Sequence, residues 1–471
     1  MTDVHAPKLV AALREVATLT SIGYVLEWDE QTQMPPGGAD NRAQQKALIA
    51  RLAHARLTDP ALGDVLAAAE AESAGDAPDS DRRAIARQAR RAYDRAVKLP
   101  GSLVEEFART TALAHHAWVE ARQHADTSRF SPWLEKVLGL CQQKAACLQT
   151  PGQPLYDALV DEFEPGETTA GLTEALGSLR APLSALVQRV GDSGRAPRRD
   201  VLSRAFPVAA QETFGREAAR ALGYDFDRGR LDVSVHPFSI TLGPGDSRIT
   251  TRYHPERFGD AFFGVLHETG HALYEQGLLP EYYGTGLGEA CSMGVHESQS
   301  RLWENLVGRS PAFWRHFFPR ARAHFPGVLD DVTEREWVAA ANDIRPSPIR
   351  VEADEATYNL HILLRFELEQ ALVSGALKPA DVSEAWDARL RDLLGITPEN
   401  AAVGCLQDVH WAAGLFGYFP TYALGNLIAS QLFEAARAEL GDLDDDFSRG
   451  EFSRLRDWLR RNVHRHGQRY S

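Results

Sequence analysis

The chain has 471 residues, 44% of them apolar and 25% charged, with a formal net charge of −14 at pH 7. This is the composition of a folded globular protein, and the broad acidic balance argues against nucleic acid or an anionic membrane as the main partner. The four cysteines, Cys141, Cys147, Cys291 and Cys405, form no CxxC pair. That spacing argues against a cysteine-ligated zinc and fits a reducing, cytoplasmic compartment without disulfide staples.

The N-terminus, MTDVHAPKLVAALREV, lacks a basic region followed by a long apolar run, so no signal peptide is expected. No window approaches 18 uninterrupted apolar residues, so no membrane span is expected either. Pro7 suits the first turn of a helix, and Leu9, Leu13, Val16 and Leu19 follow at spacings of three and four, which is one apolar stripe. MPPGG at 34–38 is a turn. Good helix formers fill stretches at about 40–58, 80–98, 101–125 and 131–149, while AESAGDAPDSD at 71–81 is polar and predicts a loop. The pattern changes in LDVSVHPFSITLGPGDSRITTRY, residues 231–253, where β-branched residues and Gly-Pro-Gly predict a short strand, a turn and a second strand. Helical patterns resume at Pro255 and are read as continuing to the end. Length alone suggests about two or three domains, but no linker marks a boundary. The expectation is a mainly α protein with one small β-sheet, built as one large unit with two lobes around a cleft.

Within this pattern, FFGVLHETGHALYEQG at 262–277 carries two histidines four apart and a glutamate directly after the first. Phe258, Phe262, Leu266, Thr269 and Leu273 form one mostly apolar stripe of the same helix, and Gly277 suits the position just past its end. Residues i and i+4 share a helix face, their Cβ atoms roughly 5–6 Å apart. His267 and His271 therefore point the same way and can bind one ion. Glu268 sits beside them, offset around the helix, where a base acting on metal-activated water belongs. The alternative is a buried helix with two packed imidazoles.

A catalytic zinc usually takes three protein ligands and keeps one position open. The next helical segment, GLGEACSMGVHESQSRLWENL at 286–306, offers Glu297 as the third ligand. Glu289 is a rival about two turns earlier, and His296 is a candidate supporting residue.

Several stretches in fixed order carry a family resemblance. HPF stands at 236–238, DSRIT at 246–250, HETGH at 267–271, HESQSRLWEN at 296–305, IRVEADE at 349–355 and GCLQDVHW at 404–411. The chain resembles the carboxypeptidase Taq family of metallocarboxypeptidases from about residue 20 to its C-terminal helices, and YVLEWDEQTQMPPGG at 24–38 is similar to that family's N-terminal region. The resemblance implies a two-lobed helical saddle with a deep active-site groove, related to neurolysin and angiotensin-converting enzyme. It implies a homodimer that removes single residues from peptide C-termini with broad preference and poor action on proline. It also implies Zn²⁺, with Co²⁺ as an effective substitute. His267, His271 and Glu297 become the metal ligands and Glu268 the general base. The whole of 1–471 is then a single peptidase catalytic unit, with an N-terminal helical lobe at about 1–220, the metal-site region and small sheet at about 224–420, and C-terminal helices at about 421–471. The MPPGG turn and its flanking helices are either a lid over the groove or a plain surface loop.

Hydrolysis also needs a donor for the tetrahedral oxyanion. His236, His410 and Tyr422 are the candidates, with a buried strand-end role as the alternative for His236 and simple packing for Tyr422. An exopeptidase must further grip a free carboxylate, which the planar fork of arginine does best. Arg350 is the first choice and Arg248 the second. Their alternatives are an ion pair with Glu352, Asp354 or Glu355 for Arg350, and a bridge to Asp246 for Arg248. Asp408, Glu289 or Asp354 is expected to orient a liganding histidine, and Gln407 to orient its neighbours. The competing functions are a zinc oligo-endopeptidase on the same scaffold and a non-catalytic peptide-binding scaffold. A di-iron bundle would want two Glu-x-x-His pairs, and only Glu268–His271 supplies one near the site.

Overall fold

The structure, a computed structural model, describes residues 5–471. It is mainly helical. The first elements are α1 His5–Thr32, α2 Ala39–Leu57, α3 Pro60–Ser73 and α4 Asp81–Lys98. Asp59 accepts from the Ala61 amide to cap α3, whose first residue is Pro60. Then come α5 Gly101–His124, α6 Ser131–Leu148, α7 Leu155–Val160, α8 Thr169–Asp192 and α9 Val208–Leu222. Three short strands follow: β1 Leu231–Val233, β2 Ser239–Gly243 and β3 Asp246–Thr251. The rest is helical again, with α10 Phe258–Glu275, α11 Met293–Arg301, α12 Pro311–His324, α13 Glu334–Ala341, α14 Glu355–Val373 and α15 Val382–Leu394. The chain ends in α16 Pro420–Leu440, α17 Leu443–Ser448 and α18 Ser453–Asn462.

The sheet has three strands where the sequence predicted two. Its order is β1-β3-β2, with β1 parallel and β2 antiparallel to β3. The bend at Val235–His236 separates β1 from β2, and Gly243 and Gly245, both at positive φ, close the β2–β3 hairpin. Helices do resume after Pro255, and the helical pattern is broken most extensively in two segments. Residues 342–354 hold Pro346 and Pro348, and residues 395–419 run through turns with Gly395, Gly414 and Gly417 at positive φ. Proline and left-handed glycine are the residues that end helices.

The chain divides into two compact units, each assembled from separated segments. The first contains residues up to Val97, Pro197–Ala341 and Gly425–Ser471; the second contains Lys98–Ala196 and Asn342–Leu424. The core of the first is aromatic. Phe214, Phe258 and Phe262 stack with centroids 4.9 and 5.2 Å apart, and Trp314 and Trp337 are fully buried beside them. A smaller apolar cluster joins α1, α3 and α4 through Leu9, Leu13, Leu62 and Leu66. The second unit has its own core on α5, α6, α8, α14 and α15, around Leu134, Leu172, Leu364 and Trp386.

Helix α1 is long and apolar enough, by length and composition, to cross a membrane, yet it is docked on the first unit. Arg14 donates to the carbonyls of Glu281 and Tyr283, and Ser21 donates to that of Leu242. Ile22, Tyr24 and Val25 of α1, with Leu48 and Leu52 of α2, remain more than two-fifths exposed.

Candidate metal centre

Helix α10 is placed by its apolar stripe. Phe258, Phe262, Leu266, Thr269 and Leu273 are all buried, as the periodicity predicts. The opposite face presents His267 and His271. Helix α11, capped by Ser292 accepting from the Val295 amide, brings up Glu297. Gly270 permits the close crossing of the two helices: a Cβ there would lie 2.5 Å from the Gln299 carbonyl oxygen and from Ser300 Cα. Gly425 of α16 similarly yields to the Glu297 side chain, whose Cγ is 2.5 Å from where its Cβ would be. Gly270→Ala is therefore expected to push α10 from α11 and destabilise the fold by about 1–3 kcal/mol, read as a lowered Tm in thermal unfolding.

Glu297 Oε2 lies 3.3 Å from His271 Nε2 and 3.6 Å from His267 Nε2. Among the described residues, ligand atoms of His267, His271 and Glu297 all fall within 4.8 Å of one another. Two imidazoles and one carboxylate, inward-facing and held on two helices, are the donor set of a catalytic zinc site. The residues present therefore fit a divalent ion. Arg301 Nε binds the other oxygen of Glu297 at 2.7 Å, and Ser300 Oγ donates to Oε2 at 3.0 Å. Burial opposes ionisation of Glu297, but Arg301 and the two histidines overcome it and hold the carboxyl well below the usual range.

The residue that orients His267 is Glu304, not Asp408, Glu289 or Asp354. His267 Nδ1 donates to Glu304 Oε2 at 2.9 Å, which leaves Nε2 directed at Glu297. Glu304 is fixed in turn by Arg309 Nη2 on its other oxygen at 2.8 Å. Its helix opens into a π-helical turn at Leu302–Val307, a wider turn often found at functional sites. The signal for Glu304 was present in HESQSRLWEN, two helical turns past Glu297, but a carboxylate there also reads as an exposed one. Asp354 instead caps α14 by accepting from the Ala356 and Thr357 amides. Glu304→Gln is expected to weaken metal binding roughly 10–100-fold, measured by competition with a chromophoric chelator.

Glu268 is buried beside the ligands. Burial pushes its carboxyl up to about 7, and the negative charge of Glu297 acts in the same direction while His267 opposes it. Burial also pushes the His271 imidazole down to about 3, keeping it neutral. Burial pulls His267 the same way, but Glu297 and Glu304 outweigh it and raise its pKa.

His236 is exposed, not buried, in the bend between β1 and β2, where its carbonyl accepts from Ser234. Arg248 takes the local bridge: its Nε and Nη2 bind Asp246, both at 2.8 Å, and its guanidinium lies 4.2 Å from the Trp28 ring centroid. Within the second unit, Arg350, His410 and Tyr422 cluster together, carried by the irregular segments at 342–354 and 395–419 and by the start of α16. His410 Nε2 is 3.1 Å from the Tyr422 hydroxyl, and the Arg350 guanidinium is 4.9 Å from the Tyr422 ring centroid.

Arg350 does not pair with Glu352, Asp354 or Glu355. It binds Asp408 through Nε at 3.1 Å and Nη2 at 2.8 Å, and Nη1 donates to the Tyr358 hydroxyl at 2.9 Å. Arg365, wholly buried on α14, binds the second oxygen of Asp408. One buried carboxylate thus serves two guanidinium groups. Burial lowers Arg365 to about 10, whereas burial of Asp408 is overcome by Arg365 and Arg350, which hold its carboxyl well below the usual range. Burial first, then Arg350, pushes His410 down to about 3. Gln407 accepts from the Arg350 amide at 2.8 Å and donates to the Pro348 carbonyl at 2.9 Å, so it does fix its neighbours.

The profile of the family described as carboxypeptidase Taq (M32) metallopeptidase matches residues 8–471. The chain is 49% identical to thermostable carboxypeptidase 1 of Thermus thermophilus, covering 97% of this chain and 91% of that one. It is 38% identical to carboxypeptidase 1 of Bacillus subtilis over the same shares. Its fold superposes on the crystal structure of the M32 carboxypeptidase from Deinococcus radiodurans R1 with a TM-score of 0.96 at 43% identity, covering 99% and 93% of the two chains.

Proposed function

The chain belongs to the carboxypeptidase Taq (M32) family and is a metallocarboxypeptidase, and from that premise we propose that it is zinc-dependent, with His267, His271 and Glu297 as ligands and Glu268 as general base. The observation that carries this reading is the convergence of the three ligand atoms within 4.8 Å on the two packed helices. When bound, zinc supplies Lewis acidity and lowers the pKa of water from 15.7 toward about 7. Glu268 takes the proton from the attacking water and returns it to the leaving amine. Its burial supports that role, because a base with a pKa near the working pH transfers protons best. Co²⁺ is proposed as an effective substitute.

Arg350 is proposed as the group that recognises the free carboxylate of a peptide, releasing single residues with broad preference. Asp408 anchors one edge of its guanidinium, and the Tyr358 hydroxyl on Nη1 is a neutral partner that a carboxylate can displace. Arg248 is less suited, since both of its bridging nitrogens are committed to Asp246. Tyr422 and His410, joined by their hydrogen bond, are proposed as the oxyanion donors ahead of the exposed His236. The whole chain is proposed to act as one catalytic unit in the cytoplasm and as a homodimer. The uncovered apolar side chains of α1 and α2 support the dimer.

Chelation followed by reconstitution tests the metal assignment. Activity is expected to vanish on removal of metal and to return at one equivalent of Zn²⁺ or Co²⁺ per chain. Full activity in metal-free protein would overturn it.

A further inference from the structure

The two histidines of the metal centre are held in different ways. His267 has an acceptor for its second nitrogen, the Glu304 carboxylate. His271 has none: its Nδ1 is buried without a protein hydrogen-bond partner among the described residues. Its ring is instead stacked on His296, with centroids 4.4 Å apart and planes 17° from parallel.

His296 begins a column. Tyr274 lies against it at 5.6 Å and 29°, and His464 lies against Tyr274 at 4.8 Å and 29°. Each of these three rings has its own hydrogen bond. His296 Nε2 is 3.1 Å from Glu275 Oε1, the Tyr274 hydroxyl accepts from the Cys291 amide at 3.1 Å, and His464 Nε2 is 2.8 Å from Gln299 Oε1. Tyr274 and His464 are fully buried. The chain makes room for the far end: a Cβ at Gly277 would fall 2.3 Å from His464 Nδ1. His271 makes its polar contact through Nε2, 3.3 Å from Glu297 Oε2; His267 meets its ring in a T-shaped contact with centroids 5.0 Å apart, and His296 is the ring that covers its face.

We propose that His296, Tyr274 and His464 are positioning residues that hold His271 for the metal by stacking, as Glu304 holds His267 by a hydrogen bond. The segment after α18 thereby becomes part of the metal centre, although it supplies no ligand. The proposal rests on reading His271 as a ligand. Its physical basis is that aromatic rings prefer offset stacked or edge contacts of fixed geometry, and that a ligand free to rotate loses affinity for its ion.

The test uses the full chain stripped of metal. Zn²⁺ affinity is read by competition with a chromophoric chelator, and the site geometry by the visible absorption of the Co²⁺ form. His296→Leu and His464→Leu are expected to weaken metal binding roughly 10–100-fold, as loss of other supports around metal ligands does, and to shift the Co²⁺ spectrum. His296→Phe and His464→Phe keep a ring but not its hydrogen bond, and are expected to restore affinity to within about threefold of the parent. If a leucine variant fails to fold, as judged by thermal unfolding of the apo form, Tyr274→Leu against Tyr274→Phe is read in the same way. Parental affinity and spectrum in the leucine variants overturn the proposal. Phenylalanine variants as weak as leucine also overturn it, because the hydrogen bonds would then matter and the stack would not. A parent protein that takes up no metal overturns the ligand assignment itself, which separates the two failures.

Discussion

Glu268→Gln is expected to lower kcat by about 10²–10⁴-fold, the usual worth of a positioned acid–base group, and to leave metal content unchanged. Glutamine keeps the size and polarity of the side chain but cannot take a proton. Glu268 is not among the three clustered ligands, so its replacement leaves the donor set intact. Burial raises its pKa to about 7, so replacing it by a neutral amide is expected not to lower thermal stability. Steady-state kinetics paired with metal analysis of the same sample decides it. A variant with parental kcat removes Glu268 from the mechanism, and one that loses its metal assigns it to the ligand shell instead.

Arg350→Ala is expected to lower kcat/KM on free-acid peptides by roughly 30-fold or more, since cutting one partner from a buried charged contact costs about 2–5 kcal/mol. The metal stays, because no ligand is touched. The variant is expected to keep its fold, because Asp408 retains Arg365 on its second oxygen, which thermal unfolding checks. Arg350→Lys is not expected to rescue it: a point charge cannot reproduce the fork that binds Asp408 through Nε and Nη2 while Nη1 donates to the Tyr358 hydroxyl. Unchanged kinetics on free-acid peptides would take Arg350 out of the substrate site.

What could be read from the sequence was what chain-local geometry determines. HETGH on an amphipathic helix places two imidazoles on one face whatever surrounds it, and the apolar stripe from Phe258 to Leu273 named the face that would be buried. Glu297 was legible as one of a few acids on the next helix. The orienting carboxylate was not, because Glu304 reaches His267 only through the π-helical turn and the support of Arg309. The Asp408 bridge was hidden for a different reason. Its partners Arg350 and Arg365 are distant in sequence, and the nearer acids Glu352, Asp354 and Glu355 offered a local pairing the fold does not use. The turns at 395–419 were masked by apolar residues at helix-like spacing, which Gly414 and Gly417 interrupt with positive φ. The His271–His464 column joins α10 to the last segment of the chain, and no local pattern predicts such a contact. The two units return on themselves across long insertions, which leave no linker in composition.

The central claim is that this metal centre serves a carboxypeptidase. Its most direct test is hydrolysis of two peptides of one sequence, one with a free C-terminus and one amidated, with products followed by mass spectrometry. The account predicts stepwise loss of single residues from the free-acid peptide and none from the amide. Cleavage of both peptides at internal bonds would contradict it and make the protein an endopeptidase.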